Sequence, residues 1–177
     1  QDLVTQNFYG DLVKEFTDRG YVLGVDLFEL AYDWRLDIRT EAERLKSIVS
    51  TALASSPSGK VSIVAHSMGG LLVKQYLASP ENTPLVNIVV LAGVPQLGAP
   101  SMFKVLNYGD NLGFKFPVIQ RDLLNPSEVK AISQNMPGAY ELLPSRRYVA
   151  EAGGYVKDFR SGTSKTLSHD ETVTLMI

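Results

Sequence analysis

Lys60–Leu72, reading KVSIVAHSMGGLL, constrains this chain more than any other stretch. Val61, Ile63 and Ala65 alternate with Ser62, Val64 and His66 in a β-branched run that stops at Ser67-Met68-Gly69-Gly70. Apolar residues then recur at helical spacing through Leu71, Leu72, Val73, Tyr76 and Leu77. The pattern predicts strand, tight turn, helix. A serine on such a turn, flanked two residues away by Ala65 and Gly69, has the form of a nucleophile elbow with alanine at the first small position. Small residues are needed there because the backbone bends sharply and brings strand and helix together. The turn also sets the backbone N–H of Met68 at the start of a helix, where the helix dipole favours a developing oxyanion. The plainer alternative is an ordinary strand-to-helix turn in which Ser67 only caps the helix.

The 177 residues suffice for one domain with a sizeable core, and 45% hydrophobic with 20% charged residues is an ordinary globular balance. Apolar runs such as Val89–Ala92 are far too short for a membrane span. A formal net charge of −2, with lysine and arginine scattered, gives no footprint for nucleic acid. With no cysteine and only His66 and His169, thiolate and histidine-rich metal sites are not expected, and no cofactor is implied. Chemistry here must run on serine, carboxylates and at most two imidazoles. No basic segment followed by an apolar one marks a secretion signal at Gln1.

Along the chain, Asn7–Arg19 reads as a helix with Phe8, Leu12, Val13 and Phe16 on one face and Gly20 as its stop. Leu27–Tyr32 reads as a short buried strand leading into Tyr32-Asp33-Trp34-Arg35. Thr40 with Glu43 predicts a capping box opening a helix that runs to Leu53. Leu85–Leu91 is a continuous apolar run, as expected of a strand buried on both faces. Strands alternating with helices predict a mainly parallel sheet. Gly93–Pro100 is a turn-rich loop at the end of a strand, where open α/β sheets hold ligands. Met102–Pro117 reads as an irregular apolar segment, either a lid-like excursion over about 101–125 or a packed irregular one. Asn125-Pro126-Ser127-Glu128 starts a helix ending near Pro137-Gly138, Tyr148–Asp158 suits a hairpin around Gly153-Gly154, and Ser168–Glu171 is another capping box.

The pieces F-Y-G-D-L (Phe8–Leu12), D-L-F-E-L-A-Y-D-W-R (Asp26–Arg35), V-A-H-S-M-G-G (Val64–Gly70), G-V-P-Q-L-G-A-P (Gly93–Pro100) and Y-E-L-L-P-S (Tyr140–Ser145) carry a family resemblance. Together they resemble the lecithin:cholesterol acyltransferase family of α/β-hydrolases, with its bacterial lipase-like members. The resemblance implies a single domain over 1–177 with a three-layer α/β-hydrolase fold and a mainly parallel sheet, incomplete at both ends. It implies that a lipid ester acylates Ser67 and that water or another alcohol receives the acyl group. It also implies an oxyanion hole using the Met68 N–H and a second donor ahead of Gln1, contact with a lipid surface, and a secreted or extracellular setting.

In this fold the triad runs serine, acid, histidine. After Ser67 the sequence holds only His169, with Asp110, Asp122 and Asp158 between them. One expectation is a triad of Ser67, Asp158 and His169. The other is that acid and base lie beyond Ile177, because His169 follows a cap rather than a late strand. His66 is expected to face the core and bond backbone, and Asp170 to be a first-turn acid favoured by the helix dipole. Trp34 and Leu97 are candidates to line the acyl site, with core packing as the plainer role for each; Asp33 and Arg35 are expected to pair. The rival functions are a catalytically silent binding domain of the same fold and a general esterase.

Overall fold

A computed structural model describes residues 9–110 and 124–176. Two parallel strands form its centre, β1 (Val61–His66) and β2 (Val86–Ala92), with Ile63 opposite Val89 and His66 opposite Ala92. The connection between them is α3 (Gly69–Leu77), which packs on β1 and on α2 (Ile38–Ser55). Ala65, Met68, Leu72, Val73 and Tyr76 meet Ile38, Leu45 and Val49 of α2 in one core, and Val61, Ile63 and Val89 close it from the sheet. Burial on this face follows the alternation in β1: Ala65 is buried while Val64 and His66 are exposed. The opposite face carries Val64, Ile88 and Val90, about half exposed, and no described element covers it. The expectation that β2 is buried on both faces is therefore corrected. Only one face of this sheet meets helices among the described residues.

Other expectations shift for local reasons. No strand forms over Leu27–Tyr32. The carbonyl of Val22 instead accepts from Val25, Asp26 and Leu27, and Gly24 N–H donates to Leu27, so the segment turns on itself and leaves a single bridge between Leu23 and Leu27. Helix α2 begins two residues ahead of Thr40, because the Asp37 carboxylate accepts from Arg39 N–H and caps it first. Helix α1 (Gly10–Asp18) forms with Gly20 beyond it at φ 95°, while Phe8 lies outside the described residues.

A second core is helical. Ser101–Tyr108 is a regular helix, α4, with Met102, Phe103, Val105 and Leu106 buried, where the sequence suggests an irregular segment. The rest of the lid-like stretch, including Leu112, Phe114, Phe116 and Asp122, lies outside the described residues. The Asn125 capping box opens α5 (Pro126–Ser133) as expected. The helix stops at Ser133, and Pro137 opens a separate short helix, α6 (Pro137–Glu141). Tyr148 lies inside α7 (Arg146–Ala152) rather than a hairpin; the antiparallel pair is β3 (Lys157–Asp158) with β4 (Lys165–Thr166). The Ser168–Glu171 box opens α8 (His169–Thr174).

Candidate active site

The turn between β1 and α3 is where the backbone is most unusual. Ser67 has φ 53°, the single positive φ on a non-glycine residue among those described. A left-handed backbone on an L-residue costs on the order of 1–2 kcal/mol and persists only where its surroundings fix it. Here Ser67 N–H donates to Ala92 C=O at 2.9 Å, tying the turn to the end of β2, and Gly70 N–H donates to Ser67 C=O at 3.0 Å. Met68 is buried beneath the turn. The Ser67 hydroxyl is exposed and makes no hydrogen bond to a described residue, so the capping role is not what the structure contains. Nor do the N–H groups of Met68 and Gly69 donate to a described residue, leaving two amides at the start of α3.

Small residues are required where the sequence has them. A Cβ on Gly70 would lie 2.1 Å from a methyl of Val94, so α3 approaches the 93–100 loop only because Gly70 has no side chain. Gly69 faces the Tyr32 hydroxyl. Burial pushes the Tyr32 phenol above its ordinary pKa, and Tyr9 and Glu41 add to the shift.

The separate sequence pieces converge beneath this turn. Gly138 N–H donates to Arg35 C=O at 3.2 Å, and a Cβ on Gly138 would lie 2.1 Å from Trp34 O and 2.9 Å from Met68 Cε. Ala99 N–H donates to Leu142 C=O at 2.7 Å and Ser145 N–H to Leu97 C=O at 2.8 Å, so the 93–100 loop lies along 140–145. Two carboxylates hold the stretch around Trp34. Glu141 accepts from Ile38 N–H at 3.0 Å, and buried Glu41 accepts from Asp33 N–H and from Arg44. Desolvation raises the Glu141 pKa. Asp33 and Arg35 pair in a two-point contact as expected, holding Asp33 down at about 2. Trp34 is half exposed and Leu97 half buried. A groove of about 500 Å³ opens beside this stretch, lined by Leu36, Ile132, Met136 and Pro137 with Asp33 and Arg35; Ser67 is not part of it.

The two residues named as possible acid and base have other partners. Asp158 is gripped by Arg160 through Nε, Nη2 and the backbone N–H, which lowers its pKa to about 2. His169 Nδ1 lies 3.2 Å from Asp170 Oδ1, and Arg146 holds the same carboxylate at 2.6 Å. Among the described residues no hydrogen bond joins Asp158 to His169, or either to Ser67. His66 departs from the expected core position. It is exposed, and its Nδ1 meets the Tyr9 hydroxyl at 3.1 Å. Tyr9 belongs to the Phe8–Leu12 piece, but apolar periodicity reads that piece only as a helix face and passes over the phenol. Among the described residues no cluster of three or more histidine, aspartate or glutamate side chains could hold a metal ion, and no helix is long and apolar enough to cross a membrane.

A strand, a strained serine and a helix with free N-terminal amides, on a parallel α/β sheet, define an α/β-hydrolase fold. The chain belongs to the lecithin:cholesterol acyltransferase family, whose model matches residues 2–172. It is similar to a phospholipase A(1) of Arabidopsis thaliana, LCAT3, at 34% identity over 52% of this chain and 22% of that protein. It is also similar to a lysosomal phospholipase A and acyltransferase of Canis lupus familiaris, at 26% identity over 81% of this chain and 36% of the relative. Among solved structures it resembles a chain of the Tle4-Tli4 complex, with a TM-score of 0.56 and 25% identity over 77% of this chain and 29% of the other. The matches thus span about a third or less of each of these proteins.

Proposed function

We propose that Ser67 is the nucleophile of acyl transfer or hydrolysis on lipid esters, running through an acyl-Ser67 intermediate. The Ser67 Oγ attacks the ester carbonyl as a histidine base takes its proton. The oxyanion forms against the Met68 N–H, the alcohol leaves with that proton, and water or an acceptor alcohol then releases the acyl group. The observation that carries this reading is the exposed, uncommitted hydroxyl of Ser67 on a backbone at φ 53°. The lipid class rests on the family and on the phospholipase and acyltransferase relatives. Trp34 and Leu97 are proposed to line the acyl site. His169 with Asp158 is the acid and base pair this chain offers, and its use requires Asp158 to leave Arg160 and His169 to leave Asp170.

Labelling with a fluorophosphonate, read by intact mass, tests the proposal. One adduct is expected, absent in Ser67→Ala. Its loss in His169→Ala assigns the base to His169; its retention removes that residue from the mechanism. An unlabelled wild-type chain leaves either a silent binding domain or an acid and base beyond Ile177, and labelling a longer chain that carries Ser67 decides between them, an unlabelled longer chain overturning the nucleophile. For a chain that labels, faster turnover of phospholipid vesicles than of short soluble esters supports the lipid class. The reverse order makes it a general esterase.

A further inference from the structure

The outer flank of the elbow carries a contact that the proposed chemistry does not use. Tyr9 caps α1, its carbonyl accepting from Val13 N–H at 2.9 Å, and its phenol lies 3.1 Å from His66 Nδ1. The two rings meet edge to face with centroids 5.9 Å apart. On another side of the imidazole stands Gly93, where a Cβ would sit 3.7 Å from Nε2. His66, the residue immediately before Ser67, is thus held between a phenol and a stretch of bare backbone. A phenol that donates to Nδ1 leaves the ring proton of the neutral imidazole on Nε2, whereas in the other tautomer Nδ1–H donates to the phenol oxygen across the same 3.1 Å contact.

A serine at φ 53° needs neighbours that fix it from every side. The sheet side is fixed by Ala92, the helix side by Gly70 and the underside by buried Met68. The remaining side is the exposed face of the sheet, on which the alternation of β1 places His66 beside Val64. We infer that Tyr9 is a positioning residue for Ser67: by holding His66 as its Nε2–H tautomer, it clamps the end of β1 from the side the sheet leaves open. The consequence for reaction rate rests on Ser67 being the nucleophile; the clamp itself does not.

Tyr9→Phe keeps the ring contact and removes only the hydrogen bond. Three readouts separate the possibilities: the His66 tautomer by long-range imidazole 15N spectra, amide exchange at Ser67, and the rate of fluorophosphonate labelling. Wild-type protein is expected to show one tautomer, protonated at Nε2. Tyr9→Phe should show a mixture, with Ser67 exchange faster and labelling slower by about fivefold each, the size expected of one lost neutral hydrogen bond. Thermal stability should hardly move, so a general loosening is distinguished from a local one. An unchanged tautomer overturns the clamp, and so does a changed tautomer with unchanged Ser67 exchange. A wild-type chain that never labels takes away only the rate readout, while the tautomer and exchange measurements still decide whether Tyr9 holds the turn.

Discussion

The Ser67 turn and the corner formed by residues 157–171 treat their polar groups in opposite ways. At the turn the backbone is strained, the hydroxyl is uncommitted and the amides of Met68 and Gly69 donate to no described residue. At the corner every candidate group is taken: Asp158 by Arg160, Asp170 by Arg146 and His169, Glu171 by Lys165 and the Ser168 N–H. Strain and unpaired donors are held at a cost, and they persist where a packed surround enforces them. Satisfied ion pairs on the surface contribute little and enforce little. The difference teaches where to look in such a chain. Residue type alone makes His169 and Asp158 attractive, whereas Ser67 carries a hydroxyl, and neighbouring amides, that no described group engages.

If the turn is enforced from below, the largest effect should come from disturbing that support. A Cβ on Gly138 would press on Trp34 O at 2.1 Å and on Met68 Cε at 2.9 Å, and one of these contacts is backbone. Gly138→Ala should destabilise the protein by about 3 kcal/mol in urea denaturation. Gly162, in the turn between β3 and β4, has φ 80° with open space around it, so Gly162→Ala should cost about 1 kcal/mol, from backbone conformation alone. Equal costs would mean that the turn is braced no more tightly than the corner.

The support under Ser67 also marks the limit of what the sequence reveals. Ser67, the strand before it and the helix after it are legible because alternation, small residues and helical spacing all agree within a dozen residues. Capping boxes at Asn125 and Ser168 are legible for the same reason, since their partners lie three residues away. The link from Gly138 to Arg35, and that from Ala99 to Leu142, join residues far apart in sequence, and no local pattern announces them. Leu27–Tyr32 misleads because an apolar run becomes a strand only beside a ladder partner, and among the described residues Phe28–Tyr32 has none. Asp37 displaces the Thr40 start because a carboxylate three residues nearer the chain start reaches the Arg39 amide. Tyr9 and His66 meet through tertiary packing, which periodicity does not encode.

A smaller effect tests the strain directly. Glycine accepts a positive φ without the clash that serine incurs, though it loses more freedom on folding. Ser67→Gly should be more stable than Ser67→Ala by about 1 kcal/mol, with Ser67→Ala within about 0.5 kcal/mol of wild type. Denaturation of the three proteins side by side measures this. A Ser67→Ala variant that loses several kcal/mol, matched by Ser67→Gly, would mean that the hydroxyl holds the structure together and that the contrast with the corner is false.

The smallest effect concerns acid. Arg160 holds Asp158 down at about 2, Lys165 holds Glu171 down at about 2, and the His169 and Arg146 contacts lower Asp170. Each folded-state value lies below its ordinary one, so the contribution is complete above the ordinary carboxylate pKa and disappears as pH falls toward about 2. These groups are exposed and screened by salt, so the loss is local rather than global. The bonds from Ser67 N–H to Ala92 C=O and from Gly70 N–H to Ser67 C=O are backbone bonds and do not titrate. Amide exchange should therefore show Leu167, which donates to Val156 C=O across the corner, losing protection on acidification before Ser67, which donates to Ala92 C=O. In Asp158→Asn the Leu167 amide should start less protected at neutral pH and respond less to acid. If Ser67 and Leu167 lose protection together, the turn and the corner open as one unit, and the satisfied charges of the corner take part in holding the strained serine.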